Sequence, residues 1–460
     1  MTYSESMLEA IGETPLVKLS KLPKEGSAQV LVKCEFLNPT GSIKDRMAYY
    51  IISEAEKRGE IKPGCTIVEN TSGNTGLGLA MVAAAKGYRC IFTMPDKMST
   101  EKINMLKAFG AEVVITPTDV PGDSPYHYVE TAKRIARETP NSFYVNQYHN
   151  PLNTEAHEKI TGPEIWRQTE GKFNAFVAGL GTGGTTSGVG RYLKSKDPSI
   201  RIVGVDPIGS VHYDLFYNNT LVEPHVYKVE GIGEDIKCEA LDFSVLDEIR
   251  QVNDEQCFLT ARRLVREEGI FCGGSSGGNV YIALQLAEEL GEGHTVVTVL
   301  PDSATRYVTK FLSDSWMVDN GFLPRKKGLG TAGDVLEFKG KGAVTVYEDE
   351  KLKDAIALMK QHSYSLLPVL NRGGQPVGVI HEIDILKGIT SGRVDVSSEV
   401  STVAKSIQGT VSPESNIEDL YEIFDRDNIA IMMEGERLLG VITEIDVIEY
   451  LVQKEKERVN

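Results

Sequence analysis

The sequence has no long apolar run and no excess of positive charge. Its longest apolar run, 77–85, is about half as long as the roughly 20-residue span of a membrane helix, and its first ten residues contain glutamates where a signal peptide has a basic segment. We therefore expect neither a membrane span nor a signal peptide. Lys and Arg number 49 against 65 Asp and Glu, a net charge of −16. Such a charge repels nucleic acids and anionic membranes at long range.

Paired cysteines are also missing. The six cysteines are widely separated and form no Cys-x-x-Cys motif, and no histidine lies at metal-ligand spacing beside them. They are Cys34, Cys65, Cys90, Cys238, Cys257 and Cys272. We expect reduced thiols packed as small apolar groups, no metal site and a cytoplasmic location. With 460 residues, 41% of them hydrophobic, the chain can bury the cores of roughly two to four domains.

Short apolar segments alternate with segments of helical period between about residues 29 and 302. The apolar segments predict strands at 30–37, 66–69, 89–94, 112–116, 175–180, 200–206 and 295–300. Helical periodicity predicts helices that include 45–57, 75–85, 100–109 and 279–290. The alternation predicts an α/β fold of largely parallel sheets covered on both faces, with ligands at the carboxyl ends of the strands.

A stretch rich in Gly and Lys, 319–330, separates this region from an internal repeat. The segment 378–385 recurs as 440–447 with six of its eight residues identical, and the first copy has a longer hairpin turn at 371–375. We predict a domain at 1–322, a linker at 323–333 and a C-terminal module at 334–460. Its two motifs, about 334–392 and about 400–455, should pack sheet against sheet as a pseudo-symmetric pair.

Lys44 follows a predicted strand and lies in the first turn of a predicted helix. Ser42 and Asp45 have the spacing of a capping box, and the positive end of the helix dipole should lower the pKa of the lysine. A lysine with a lowered pKa can form a Schiff base with a carbonyl compound. Taken alone, the segment fits a solvated lysine beside a helix cap better than a reactive one.

Three further turns combine glycine with hydroxyl or amide side chains before a predicted helix. The turn 71–76 can hold a carboxylate at the helix N-terminus, although an ordinary βα turn has the same pattern. The turn 180–188 has four glycines but lacks the ending of a Walker A loop and the partners of a dinucleotide site, which favours a single phosphate group. The turn 273–278 is of the same style. Four such turns in one domain are more specific than any one of them.

In their order along the chain, these motifs resemble the β-family of pyridoxal-phosphate enzymes, which have fold type II. The resemblance rests on 11–17, 42–46, 71–76, 181–185 and 273–278, and the C-terminal repeat resembles a Bateman module, a tandem pair of CBS domains. It implies a catalytic domain of two parallel-sheet subdomains, pyridoxal phosphate as cofactor and a homodimer. Within the family, the chain resembles the lyases that condense L-serine with L-homocysteine to L-cystathionine and water and that can release hydrogen sulfide from cysteine.

The resemblance also implies a role for each motif. Lys44 would bind the cofactor covalently and later transfer protons, Asn74 would contact its 3′-oxygen, and Ser275 would face its pyridine nitrogen. Its phosphate would be held by Gly181, Thr182, Gly183, Gly184 and Thr185. The carboxylate of the substrate would be bound by Ser72, Gly73, Thr75 and Gln147.

Two features depart from the related enzymes. Those with haem carry its Cys and His ligands in an N-terminal extension, whereas this catalytic domain begins almost at Met1, so we expect no haem. Glu234 occupies a position where those enzymes usually have Tyr, which leaves the recognition of homocysteine open.

In the Bateman module, Thr443 and Asp446 match the hydroxyl-x-x-Asp pattern that holds an adenosine ribose. The first copy has His381 in place of the hydroxyl residue before Asp384. The pattern therefore predicts a single site, for S-adenosylmethionine or an adenine nucleotide. A purely structural or dimerising module is the alternative.

Two other functions share these features. A cysteine synthase, which uses O-acetylserine and sulfide, would have all four turns. Gly78, where cysteine synthases usually have Ala, and the Bateman module both favour the reaction of serine with homocysteine. A ligand sensor with a vestigial catalytic half is the second alternative, and the intact Lys44, Asn74 and Ser275 argue against it.

Overall fold

The computed structural model describes residues 3–71, 73–121, 124–324, 329–340, 342–407, 409–427, 429–435 and 437–459. The chain divides into two compact units, Met1–Leu323 and Pro324–Asn460. Residues 325–328 of the predicted linker lie outside the described residues. Within the described part of the chain, no helix is long and apolar enough to cross a membrane.

The first unit is built on two sheets. Its strands are β1 (Leu16–Lys18), β2 (Gln29–Cys34), β3 (Thr66–Asn70), β4 (Arg89–Pro95), β5 (Glu112–Thr116), β6 (Ser142–Tyr144), β7 (Ala175–Gly179), β8 (Arg201–Pro207), β9 (Glu248–Val252) and β10 (Thr295–Leu300). The larger sheet has the order β1-β2-β10-β7-β8-β9 and is parallel except for β1, and the smaller has the parallel order β5-β4-β3-β6. All seven predicted strands are confirmed; the first ends early because Glu35–Leu37 forms a 3₁₀ turn.

Helices cover these sheets. They are α1 (Lys44–Lys57), α2 (Asn74–Lys86), α3 (Thr100–Ala108), α4 (Tyr128–Glu138), α5 (Pro151–Ala156), α6 (Gly162–Thr169), α7 (Gly184–Lys196), α8 (His212–Asn218), α9 (Asp254–Arg263), α10 (Gly274–Leu290) and α11 (Asp314–Asp319). π-Helical segments, His157–Thr161 and Leu264–Glu268, follow α5 and α9. The remaining short 3₁₀ turns of this unit are Met7–Ala10, Phe243–Val245 and Ala304–Arg306.

Three of the four predicted helices begin and end within one residue of their predicted bounds. The fourth, predicted from residue 279, begins at Gly274, so the glycine motif forms its first turn and does not precede it. No strand comes before this turn in the described structure: Cys272 makes an isolated bridge to Ser303. The glycines are required there because α9 packs against this turn: a Cβ on Gly277 would lie 1.9 Å from the Cys257 carbonyl oxygen.

The second unit contains two three-stranded sheets of the same order, one from each repeat. The strands are β11 (Val346–Tyr347), β12 (Leu366–Leu370), β13 (Pro376–His381), β14 (Thr410–Val411), β15 (Ile429–Glu434) and β16 (Arg437–Thr443). The helices are α12 (Ala332–Lys339), α13 (Leu352–His362), α14 (Glu382–Thr390), α15 (Tyr421–Asp427) and α16 (Glu444–Val459), with 3₁₀ turns at Val400–Thr402 and Ile417–Leu420. The predicted packing of sheet on sheet is confirmed, since Val379 of β13 shares an apolar cluster with Ile429 and Ile431 of β15.

Helix α12 lies before the first repeat in sequence but packs in the core of the second. Its Ala332 and Val335 are fully buried in a cluster that includes Phe424, Ile442 and Val447. The repeat boundary in the sequence is therefore not the boundary between the two cores.

Candidate active site

Lys44 is the first residue of α1 and lies directly after the turn that leaves β2. The predicted capping box is wrong. Ser42 Oγ accepts a hydrogen bond from the Lys44 N–H at 3.3 Å, but the Asp45 carboxylate turns back to the Thr40 N–H, at 2.7 Å, and to the Thr40 hydroxyl. Burial among the surrounding atoms lowers the pKa of the Lys44 amine, and the nearby Glu234 carboxylate is the largest opposing influence.

A pocket of about 570 Å³, including its open mouth, lies beside Lys44 at the carboxyl ends of the strands. It is lined by seven of the eight residues predicted to contact the cofactor: Lys44, Asn74, Gly181, Thr182, Gly183, Thr185 and Ser275. The eighth, Gly184, is the first residue of α7 immediately behind the loop. Residues that are far apart in the sequence therefore meet around one cavity.

The loop between β7 and α7 requires glycine for both conformation and space. Gly183 has φ +84°, and a Cβ there would lie 2.4 Å from the Leu241 Cβ. A Cβ on Gly184 would lie 2.2 Å from Asn153 Oδ1. The N–H groups and the positive dipole at the start of α7 then face a glycine-rich cavity wall, which suits an anion such as a phosphate group.

Three side chains of the surrounding structure support this loop. His157 Nε2 lies 3.2 Å from Thr185 Oγ1, His212 Nε2 donates to the Gly181 carbonyl oxygen at 3.1 Å, and Asn153 Nδ2 donates to Thr182 Oγ1 at 3.0 Å. Burial lowers the pKa of both histidines, that of His212 to about 4, so both are neutral near pH 7. These three side chains could not be predicted from the sequence, because no local motif marks them.

Two unpartnered oxygens face the same region. Asn74 Nδ2 and the Tyr307 hydroxyl both donate to Asp302 Oδ2, at 2.9 and 2.7 Å. Asp302 Oδ1 is buried and has no partner among the described residues, and the same is true of Asn279 Oδ1. Burial raises the pKa of Asp302. Both residues line the pocket, where a polar ligand could pair with them.

Three of the four residues predicted to bind a substrate carboxylate are described, and they lie beside the pocket. Thr75 follows Asn74 in α2, and its hydroxyl donates to Gln147 Oε1 at 2.6 Å. The Gln147 N–H in turn donates to Glu69 Oε1 at 3.5 Å, and burial raises the pKa of this fully buried glutamate to about 8. Gly73 precedes Asn74, and Ser72 lies outside the described residues. Glu69 lies within an apolar strand, so the sequence did not mark it.

A buried ion cluster lies under the start of α1. Arg46 donates to Glu35 Oε2 and to Glu164 Oε2, both at 2.7 Å, and Lys33 also binds Glu164. All four side chains are at most 3% exposed. Burial raises the pKa of Glu164, but the hydrogen bonds and charges of Arg46 and Lys33 outweigh it and lower the pKa to about 2. The cluster fixes the helix turn that carries Lys44.

These features fit pyridoxal phosphate. The pocket offers an amine with a lowered pKa for the aldehyde, a glycine-rich helix N-terminus for the phosphate, and lining residues with unpaired polar atoms. Among the described residues, no group of three or more His, Cys, Asp or Glu side chains could hold a metal ion. All six cysteines are free and buried.

The second unit has a pocket of about 1540 Å³, including its mouth, lined by residues of both repeats. Thr443 and Asp446 lie in its wall. Asp446 Oδ2 accepts hydrogen bonds from the Thr443 N–H at 2.8 Å, from the Thr443 hydroxyl at 2.6 Å and from Lys339 Nζ at 2.7 Å. The corresponding Asp384 of the first repeat pairs with Lys405 at 2.8 Å.

Comparison with known proteins agrees with this geometry. A family model described as pyridoxal-phosphate dependent enzyme matches residues 7–302, and the CBS domain model matches 335–391 and 400–453. Proteins named cystathionine β-synthase are similar over nearly the whole chain. One from Mus musculus is 38% identical and one from Dictyostelium discoideum is 37% identical, each over 98% of this chain and over 86% and 93% of their own lengths. One from Saccharomyces cerevisiae is 35% identical over 97% of each chain.

The chain belongs to the cystathionine β-synthase family. It is thereby a pyridoxal-phosphate-dependent enzyme, and the matched segment 7–302 contains every residue that lines the first pocket. The CBS domain matches contain both Lys339 and Asp446 of the second pocket. This family membership accounts for both cavities.

Proposed function

We propose that the protein condenses L-serine with L-homocysteine to give L-cystathionine and water. The observation that carries this function is the convergence of Lys44, Asn74, the 181–185 loop and Ser275 on one pocket, in a chain of the cystathionine β-synthase family. In the reaction serine loses its β-hydroxyl, its Cβ gains the sulfur of homocysteine, and the thiol proton leaves with the hydroxyl as water.

Lys44 is the residue that moves protons. When bound, pyridoxal phosphate withdraws electrons from the amino acid and acidifies its Cα–H bond. Because burial lowers the pKa of its amine, Lys44 loses its proton more readily than an exposed lysine, and the neutral amine can take up the Cα proton. The ion cluster around Arg46 holds the amine at a fixed position, which favours proton transfer at one atom.

The other residues bind and orient. The start of α7 and the hydroxyls of Thr182 and Thr185 hold the phosphate, and Asn74, positioned by Asp302, contacts the ring oxygen. Ser275 would lie at the pyridine nitrogen of the cofactor. Its neutral hydroxyl cannot fully protonate that nitrogen as an aspartic acid would, and this favours replacement at Cβ. Gly73, Thr75 and Gln147, together with Ser72, bind the serine carboxylate.

Gly78 separates this function from that of a cysteine synthase. A Cβ at Gly78 would lie 3.0 Å from the Lys44 carbonyl oxygen and 3.2 Å from the Asp45 Oδ1, so an alanine would press on the turn that carries Lys44.

A substrate competition tests the proposed function. The purified protein with pyridoxal phosphate is given equal concentrations of L-serine and O-acetylserine together with equal concentrations of homocysteine and sulfide. Cystathionine as the main product is expected; cysteine as the main product would identify a cysteine synthase, and no turnover would favour the sensor. Cysteine offered in place of serine should release hydrogen sulfide.

The enzyme uses pyridoxal phosphate without haem. In support, the six cysteines are buried, and none has a histidine at metal-ligand spacing beside it in the sequence. The absorption spectrum of the purified protein should show the cofactor band alone, and a Soret band would contradict this.

The Bateman module binds an adenosyl compound at Thr443 and Asp446. In support, these residues line a cavity large enough for a nucleoside, and Asp446 presents a carboxylate for ribose hydroxyls. Calorimetric titration of the full chain with S-adenosylmethionine and with AMP distinguishes the two ligands, and binding of neither would favour a structural module. If the module regulates the enzyme, deletion of the residues after Gly330 should change the kinetics or their response to the ligand.

The enzyme acts as a homodimer in the cytoplasm. Six apolar side chains on α14 and α16 are more than a third exposed: Ile383, Leu386, Ile389, Ile445, Ile448 and Val452. A second copy that covers this surface would remove it from water. Light scattering at micromolar concentration should give twice the 50.5 kDa chain mass, whereas a monomer would contradict the assignment.

A further inference from the structure

Glu234 is held at the edge of the first pocket by its backbone. Its N–H donates to Ser210 Oγ at 3.1 Å, and its carbonyl oxygen accepts from the Val211 N–H at 3.1 Å. The preceding Gly233 donates to the Leu180 carbonyl oxygen at 2.6 Å. These bonds place the half-buried Glu234 side chain over the loop, with Oε1 3.9 Å from the position of a Cβ on Gly181.

The carboxylate of Glu234 has no hydrogen bond or ion pair with a described residue. The charged groups that act on it are Lys44, which lowers its pKa, and the acids Asp206 and Asp235, which raise it. Burial and these two acids raise the pKa of Glu234 to about 8, and its charge raises the pKa of the Tyr148 hydroxyl well above the usual value. A carboxyl group with this pKa binds a proton near pH 7 unless a cation pairs with it, and an ammonium ligand would lower the pKa and keep the carboxylate charged. The unpaired Glu234 side chain, which lies over Gly181 of the pocket wall, is therefore suited to a ligand cation.

We propose that Glu234 is a specificity residue that binds the α-ammonium group of L-homocysteine. This inference rests on the proposed function. Of the two substrates, serine has its amino group at the reacting centre beside Lys44, whereas the amino group of homocysteine takes no part in bond making and needs a partner of its own. A carboxylate held over Gly181 supplies that partner within reach of the pocket. Sulfide, which has no ammonium group, gains nothing from it.

The test compares Glu234→Gln with the native enzyme on two thiols of equal length. 4-Mercaptobutanoate is homocysteine without its amino group, and it reacts with serine to give the S-(3-carboxypropyl) derivative of cysteine and water. Asp235→Asn is the matched control, because it removes the same charge from an adjacent, exposed position. KM and kcat for each thiol are measured at saturating serine, and KM for serine is measured separately. The cofactor absorbance and the circular dichroism spectrum show that each variant is folded and loaded.

We expect Glu234→Gln to raise the KM for homocysteine at least about tenfold, because the variant loses a charge-assisted hydrogen bond to the substrate. In this variant the KM values for 4-mercaptobutanoate and for serine should change less than about twofold. In Asp235→Asn the KM values for homocysteine, 4-mercaptobutanoate and serine should all change less than about twofold. If Glu234→Gln changes the KM values of both thiols equally, or leaves the KM for homocysteine unchanged, the role of Glu234 is wrong, although the native enzyme still makes cystathionine. A native enzyme that makes no cystathionine would overturn the proposed function, and the role of Glu234 with it. If Glu234→Gln does not fold, Glu234→Asp should show the same preference more weakly.

Discussion

The buried ion cluster under α1 allows a quantitative prediction for Glu164→Gln. Glu164 accepts hydrogen bonds from both Arg46 nitrogens at 2.7 and 2.9 Å, from Lys33, and from the Glu13 and Thr14 N–H groups, both at 3.0 Å. Its side chain is 3% exposed, so water cannot replace these partners. Glutamine keeps the size but leaves one positive charge in the cluster uncompensated. Breaking such a buried pair costs about 3–5 kcal/mol.

The matched control is Glu13→Gln. Glu13 forms an ion pair with Arg167 at 2.6 Å, but the two side chains are 74% and 59% exposed, so this pair contributes at most about 1 kcal/mol. Both tryptophans of the chain, Trp166 and Trp316, lie in the first unit, so their fluorescence during urea unfolding reports on that unit alone. With a slope of about 3 kcal/mol per molar urea, the midpoint should fall by about 1 M or more for Glu164→Gln and by less than about 0.4 M for the control. Equal shifts for the two variants would refute the reasoning.

Three further predictions follow from the two pockets. Gly183→Ala should weaken the affinity for pyridoxal phosphate at least about tenfold in a spectroscopic titration. Residue 183 has φ +84°, which disfavours alanine, and the new Cβ would lie 2.4 Å from the Leu241 Cβ. Gly87→Ala, with φ +77° and open space around it, should leave that affinity unchanged. Asp446→Ala should abolish binding of the adenosyl ligand in calorimetry, and Asp384→Ala should retain it; the opposite result would place the ligand in the first repeat. Burial lowers the pKa of His212 to about 4, so protonation of the unfolded chain below pH 6.5 should cost stability as the pH falls from 6.5 to 4. His212→Gln should lessen the drop in urea midpoint between pH 7 and pH 5, and an equal drop in both proteins would contradict this.

Most of the strands that the sequence predicted are largely buried; the edge strand Glu112–Thr116 is partly exposed, and its three consecutive apolar residues mark it. The segment Thr66–Asn70 is wholly buried, and its apolar residues mark it. The strands Ser142–Tyr144 and Glu248–Val252 were not predicted, because they are sheet edges that mix polar and apolar residues and owe their pairing to neighbours far along the chain. Lys33 shows the same limit: its burial depends on Glu164, which no local pattern connects to it.

The loops of the candidate site were predictable because glycine and hydroxyl residues cluster in the sequence where the backbone approaches a ligand. The residues behind them were not. Asp302 positions Asn74 from 228 residues away, and His157 reaches Thr185 from a π-helical segment. The error at Asp45 has a similar origin, because a three-residue spacing cannot show that the turn at Thr40 competes for the carboxylate.

The placement of α12 has a consequence for how the Bateman module is connected. This helix completes the core of the second repeat, and its last residue, Lys339, binds the carboxylate of Asp446. The same helix begins soon after Leu323, where the catalytic unit ends. The second repeat, although it comes later in the sequence, is thus the repeat whose core contains the helix at the start of the module. A ribose that replaced the Lys339 ammonium at Asp446 would release the end of that helix from the second repeat.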